Sequence, residues 1–181
     1  MKTFEITPEI LTERLMLNAP NMDDTQTIAN ILNKDIYYEN TLTLPRPYTT
    51  ESAIFWVTLA ENGLKNNHLI FAIREKDNPK IIGGIDLMIN TKFNQAEIGY
   101  WMDENFFNKG YTTEALKAII NFGFSTLELK RIFATHFDSN PASGRVMEKA
   151  GMTKEGVLKC YTKKDGTYQD HVMYAIINTS V

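Results

Sequence analysis

Apolar and polar positions along the 181-residue chain follow two periods, and the switches between them mark out the elements. The segment LTERLMLNA, residues 11–19, reads as a strand, and Asn21 then stands as the N-cap of a helix expected to run to about residue 34. Past the irregular TLTLPRPYTT, residues 51–65 form a second helix with Ile54, Phe55, Thr58 and Leu59 on one side. HLIFAIRE and KIIGGIDLMIN are apolar at consecutive positions, which suits strands covered on both faces, and KDNPK between them is a turn. A central hairpin is therefore expected, with Gly83 and Gly84 relieving crowding or allowing a bulge between strands. AEIGYWM adds a third strand, with Glu97, Gly99 and Trp101 on one face and Ile98, Tyr100 and Met102 on the other.

The period then changes to that of a helix, whose stripe holds Leu116, Ile119, Ile120, Gly123, Phe124 and Leu127. Gly123 is small enough for this helix to pack closely on the sheet. RIFATHF is the next strand, and a crossover helix before it allows it to pair parallel to AEIGYWM. Asn140 and Pro141 open a short helix that ends by Gly151. TKEGVLKCYTK and YQDHVMYAII close the chain around a KDGT turn. The order is β, α, α, β, β, β, α, β, α, β, β. No repeat or low-complexity linker interrupts it, so residues 1–181 are read as one domain, and 43% hydrophobic residues suffice for a core of that size.

Charge and composition remove several classes of function. A net charge of −3 supplies no basic field to displace phosphate counterions, so nucleic acid is excluded as a partner. No apolar run approaches membrane-spanning length and the N-terminus lacks an apolar signal core, which points to a cytoplasmic protein with no membrane partner. His68, His136 and His171 lack metal-ligand spacing, so no metal is expected. The single Cys160 cannot form an internal disulfide.

Two stretches carry chemistry. FFNKGYTTEALKAI, residues 106–119, places a Gly-containing turn at the mouth of an amphipathic helix, where unpaired N–H groups and the helix dipole favour an anion. The amides of Asn108, Lys109, Gly110, Tyr111, Thr112 and Thr113 are the candidates, with Lys109 available as a point charge. Glu97 sits between apolar neighbours on a central strand, where an unpaired carboxylate is costly and burial raises its pKa toward that of a useful base.

Three quoted motifs, in order along nearly the whole chain, resemble the GNAT superfamily of acetyl-CoA-dependent N-acetyltransferases. FNKGYT is similar to the family's phosphate-binding loop, although Phe107 and Thr112 depart from its ends. AEIGYWMDENFFNKGYTTEAL and NPASGRVMEKAGM are similar to the ribosomal-protein N-terminal acetyltransferase branch (RimJ/RimL type), as is YQDHVMYA near the end. The resemblance implies an α/β GNAT fold: a mixed, mostly antiparallel twisted sheet with a splayed parallel central pair and helices on both faces. It implies that acetyl-CoA lies with its pyrophosphate on the loop 108–113. Its pantetheine arm would lie along Ile98, Gly99, Tyr100, Trp101 and Met102, with Asn140 and Ser143 across the gap. Glu97 then matches the general base of some members. Met147 stands where many members place an acid tyrosine, so Ser143, one turn earlier, is assigned to the departing thiolate, with Tyr100 or Tyr174 as alternatives. The acceptor implied is a primary amine, first the N-terminal α-amine of a ribosomal or other protein; a polyamine, an antibiotic or a non-catalytic acyl-CoA sensor are the other readings. Oligomeric state is not legible, and a homodimer stays open.

Overall fold

The structure, a computed structural model, describes residues 7–63 and 67–180. The first strand expected from the sequence is broken in two: β1 (Ile10–Leu11) and β2 (Leu15–Asn18) pair antiparallel around a tight turn. Thr12 makes the break, because its side-chain oxygen accepts from Leu15 N at 2.9 Å. Such side-chain bonds give the backbone an alternative to the ladder.

Asn21 caps as expected, accepting from Asp23 N at 2.9 Å, but what it opens is a 3-10 turn (Met22–Asp24) that leads into α1 (Thr25–Leu32). A further helix, α2 (Asp35–Asn40), was not expected, since only Tyr37 of its six residues is buried. The next helix, α3, is Thr50–Gly63; its expected end at Lys65 lies outside the described residues. Two strands follow, β3 (His68–Glu75) and β4 (Ile81–Asn90). Beyond them come β5 (Gln95–Met102), α4 (Tyr111–Ser125), β6 (Arg131–Phe137), α5 (Pro141–Lys149), β7 (Thr153–Lys164) and β8 (Thr167–Ile177).

The eight strands form one open sheet in the order β1-β2-β3-β4-β5-β6-β8-β7. All pairs are antiparallel except β5 with β6. This is the GNAT arrangement anticipated from the motifs. One core cluster joins the sheet to α4 and α5, and a second joins it to α1 and α3. Six consecutive residues of β3, from Leu69 to Arg74, are buried, as a strand covered on both faces requires. A Cβ on Gly123 would lie 2.7 Å from Ile132 Cδ1, so the bare position lets α4 pack closely on β6. Among the described residues no helix is long and apolar enough to cross a membrane.

Candidate active site

The parallel ladder between β5 and β6 is short. It runs Gln95 to Arg131, Ala96 to Ile132 and Glu97 to Phe133, and stops there, while β5 continues to Met102 paired only with β4. The β6-facing edge of Ile98, Gly99, Tyr100, Trp101 and Met102 thus has backbone polar groups without a strand partner. An extended, amide-bearing arm fits such an edge as an added strand would.

Glu97 occupies the vertex of this gap. By register it shares one face of the sheet with His68, Met88 and Phe133, and these residues line an open cavity of about 570 Å³ with Asn90 and Gln95. Burial, and then the charge of Asp86, hold its carboxyl above the ordinary glutamate value. Asp86 was not foreseen, although it stands between Ile85 and Leu87 just as Glu97 stands between Ala96 and Ile98. It lies across Gly99, where a Cβ would come within 2.6 Å of Asp86 Oδ1, and it pairs with His68 Nε2.

Tyr100 and Ser143 belong to the opposite face. Tyr100 packs against the α4/α5 core, and its hydroxyl donates to Ser143 O at 3.1 Å, bridging β5 to the first turn of α5. Asn140 caps that helix, accepting from Ser143 N at 3.4 Å, and its Nδ2 donates to Ser143 Oγ at 3.3 Å. Since Ser143 Oγ accepts from Asn140, its own proton is left for another acceptor. Tyr174 donates to Glu148 Oε1 at 2.9 Å. Burial raises the pKa of Tyr100 and Tyr174, in Tyr174 together with the Glu148 bond, so both phenols stay protonated across the neutral range. His136 is buried beneath Gly144, with Nδ1 bonded to Phe137 O at 2.7 Å.

The helix mouth has the geometry for an anion. Asn108 and Gly110 hold φ of 60° and 80°, and no side chain caps α4, which begins with the backbone bond from Glu114 N to Gly110 O at 3.0 Å. The amides of Tyr111, Thr112 and Thr113 precede that bond, as the first-turn donors of any helix do. Lys109 is exposed, with Nζ 4.6 Å from the Phe106 ring centre, so its charge stands at the loop's surface. Trp101 turns its side chain away, edge-on to Trp56 with centroids 5.9 Å apart, which leaves only its backbone facing the gap. Also unforeseen are Thr12 and Arg14, which reach α4 from the β1–β2 turn.

The end of α2 and the β7–β8 tip meet in space. Tyr38 of α2 donates to Asp165 at the β7–β8 tip at 2.8 Å, and Lys164 Nζ bonds the carbonyls of Tyr38 and Thr41.

Residues 14–153, from Arg14 in the first turn to the start of β7, match the acetyltransferase (GNAT) domain, and the chain belongs to that family: it is an N-acetyltransferase whose donor is acetyl-CoA. The uncharacterised N-acetyltransferase YoaA of Bacillus subtilis (strain 168) is 31% identical over 94% of this chain and 97% of its own. The [ribosomal protein uS5]-alanine N-acetyltransferase of Escherichia coli (strain K12) is 32% identical over 59% of this chain and 56% of its own. Among solved structures, the microcin C7 self-immunity acetyltransferase MccE, in complex with acetyl-CoA and AMP, superposes with a TM-score of 0.84 at 22% identity, covering 96% of this chain and 99% of that one.

Proposed function

We propose that this enzyme acetylates the N-terminal α-amine of a ribosomal or other protein, by direct attack within a ternary complex. The observation that carries the reading is the ladder that stops at Glu97 and Phe133, with Glu97 on one face of the sheet and Tyr100 and Ser143 on the other. An amine arriving beside Glu97 and a sulfur departing beside Ser143 can then meet the same thioester carbon within the gap from opposite faces of the sheet, which suits a single displacement without a covalent enzyme intermediate.

Acetyl-CoA supplies the acyl thioester; the chain's residues do the rest. The amides of the loop 108–113 receive the pyrophosphate, and the free edge of residues 98–102 aligns the pantetheine amides. Strand amides near Ile98, Gly99 and Tyr100 meet the charge that develops on the acetyl oxygen. Glu97 takes the amine proton, directly or through water, and Ser143 gives its proton or a hydrogen bond to the thiolate. Asn140 holds Ser143 in place while remaining the cap of α5.

The uS5-alanine relative supports a protein α-amine as acceptor. A small amine is the second reading, favoured by the cavity beside Glu97, which is large enough for a small polar molecule. Thiol release from acetyl-CoA, measured over alanine- and serine-starting peptides, N-terminally blocked lysine peptides and polyamines, tests both. Turnover on free α-amine peptides alone is expected. Turnover confined to polyamines or blocked lysine peptides would overturn the α-amine assignment.

A further inference from the structure

Glu114 poses an electrostatic problem. It lies in the first turn of α4, directly behind the amides of the loop 108–113. A carboxylate there satisfies the helix dipole, but it also competes with any anion brought to the same helix mouth. The structure turns it away. Glu114 Oε1 accepts from Thr12 Oγ1 at 2.6 Å and Arg14 N at 2.9 Å, and Oε2 accepts from Arg14 Nε at 2.7 Å, with Arg14 Nη2 in ion-pair contact at 2.6 Å. Three donors thus occupy the carboxylate, and the guanidinium charge lies directly against it. The Glu114 side chain is 17% exposed and that of Arg14 44%, so the carboxylate is covered from one side while the guanidinium stays open to solvent.

Arg14 has a second hold on the loop. Its Nη1 donates to Lys109 O at 3.0 Å, and its guanidinium stacks 4.6 Å over the ring of Tyr111, whose hydroxyl donates to Glu75 at 2.8 Å. The Lys109–Gly110 peptide is planar and trans, so drawing the Lys109 carbonyl toward Arg14 points the Gly110 N–H the opposite way. A lysine could not do both, since a point charge lacks the planar fork that reaches a carboxylate and a carbonyl together.

We propose that Arg14 is a positioning residue for acetyl-CoA, orienting the loop amides and cancelling the Glu114 charge that would otherwise repel the pyrophosphate. The inference rests on the reading that this loop takes the pyrophosphate. It is tested with Arg14→Gln, Arg14→Lys, Glu114→Gln and the double variant Arg14→Gln/Glu114→Gln, each checked for folding by thermal melting. Steady-state rates are measured with acetyl-CoA and with S-acetylpantetheine, which lacks the pyrophosphate.

Arg14→Gln is expected to raise KM for acetyl-CoA about 10-fold, the size of a charge effect at a helix terminus, with the loss falling on KM rather than kcat. KM for acetylpantetheine should not follow. The double variant should bind acetyl-CoA about threefold or more better than Arg14→Gln alone, because the unmasked carboxylate is gone. Arg14→Lys should fall between wild type and Arg14→Gln, and it carries the test should the glutamine variant fail to fold. Equal losses with both donors, or none, would overturn the role of Arg14, and a double variant no better than the single would overturn the charge cancellation. Wild-type KM values that are the same for both donors would instead overturn the assignment of the loop to pyrophosphate.

Discussion

The hydroxyl of Tyr100 donates to the carbonyl oxygen of Ser143 across the gap left where β5 and β6 part company. This single bond, 3.1 Å long, ties the unpaired stretch of β5 to the first turn of α5. Burial raises the phenol's pKa, with the Ser143 side chain opposing more weakly, so the proton stays on oxygen. Tyr100→Phe should therefore act by loosening the position of Ser143. A loss in kcat of about 10-fold or less is expected, in the range of one neutral hydrogen bond. The profile of kcat up to about pH 10 should keep its shape in the variant, because no titrating acid has been removed. A high-pH falling limb present in wild type and abolished by Tyr100→Phe would give the acid role to the phenol.

Ser143→Ala removes the hydroxyl assigned to the departing thiolate. Thiols are acidic enough, with a cysteine pKa of about 8.5 as a guide, to leave partly unassisted. The expected loss is about 10- to 100-fold in kcat, with KM for acetyl-CoA little changed. Steady-state kinetics at saturating acceptor check this, and an unchanged kcat would remove Ser143 from the chemistry.

Glu97→Gln should affect activity and stability in opposite directions. An α-amine with a pKa of about 8 needs little help to lose its proton, whereas a lysine-like amine near 10.4 needs roughly 3.5 kcal/mol more at neutral pH. The variant is thus expected to lose activity modestly on an α-amine peptide and by orders of magnitude on a polyamine. In the folded protein burial, then Asp86, raises the Glu97 pKa above 4.5. Well below 4.5 both folded and unfolded states are protonated, and the group is neutral toward stability. As pH rises through that value toward the folded pKa, the unfolded chain gives up its proton first, so stability is lost and stays lost above it. Glu97→Gln should therefore melt higher than wild type at neutral pH, with the gain gone below about pH 4. Melting curves at both pH values read this out, and a lower neutral-pH melting temperature would contradict it.

Gly110→Val tests the loop itself. Gly110 holds φ of 80°, a conformation that a β-branched residue adopts only with strain. The variant is expected to fold, since Gly110 is exposed, but to bind acetyl-CoA about 10-fold or more weakly because the amides no longer converge. Calorimetric titration decides it; wild-type affinity in the folded variant would take the loop out of the site.

Much of this enzyme is local. The strands β3 and β6 coincide with HLIFAIRE and RIFATHF residue for residue, β3 because a strand covered on both faces needs no partner's pattern to be recognised and β6 because its buried positions alternate. The cap at Asn140, the glycine turn at the mouth of α4 and the burial that raises the Glu97 pKa were likewise legible, each being fixed by neighbours in sequence. Tertiary structure alone decided the rest. It placed β8 between β6 and β7, and it formed α2, whose Tyr37 is held by Met102 O and Glu104 N rather than by any apolar stripe. It set Asp86 over Gly99, and it brought Arg14 to Glu114, residues a hundred positions apart. Contacts of that kind have no period to betray them. They arise only when the sheet has brought distant edges together, and in this fold those edges surround the site.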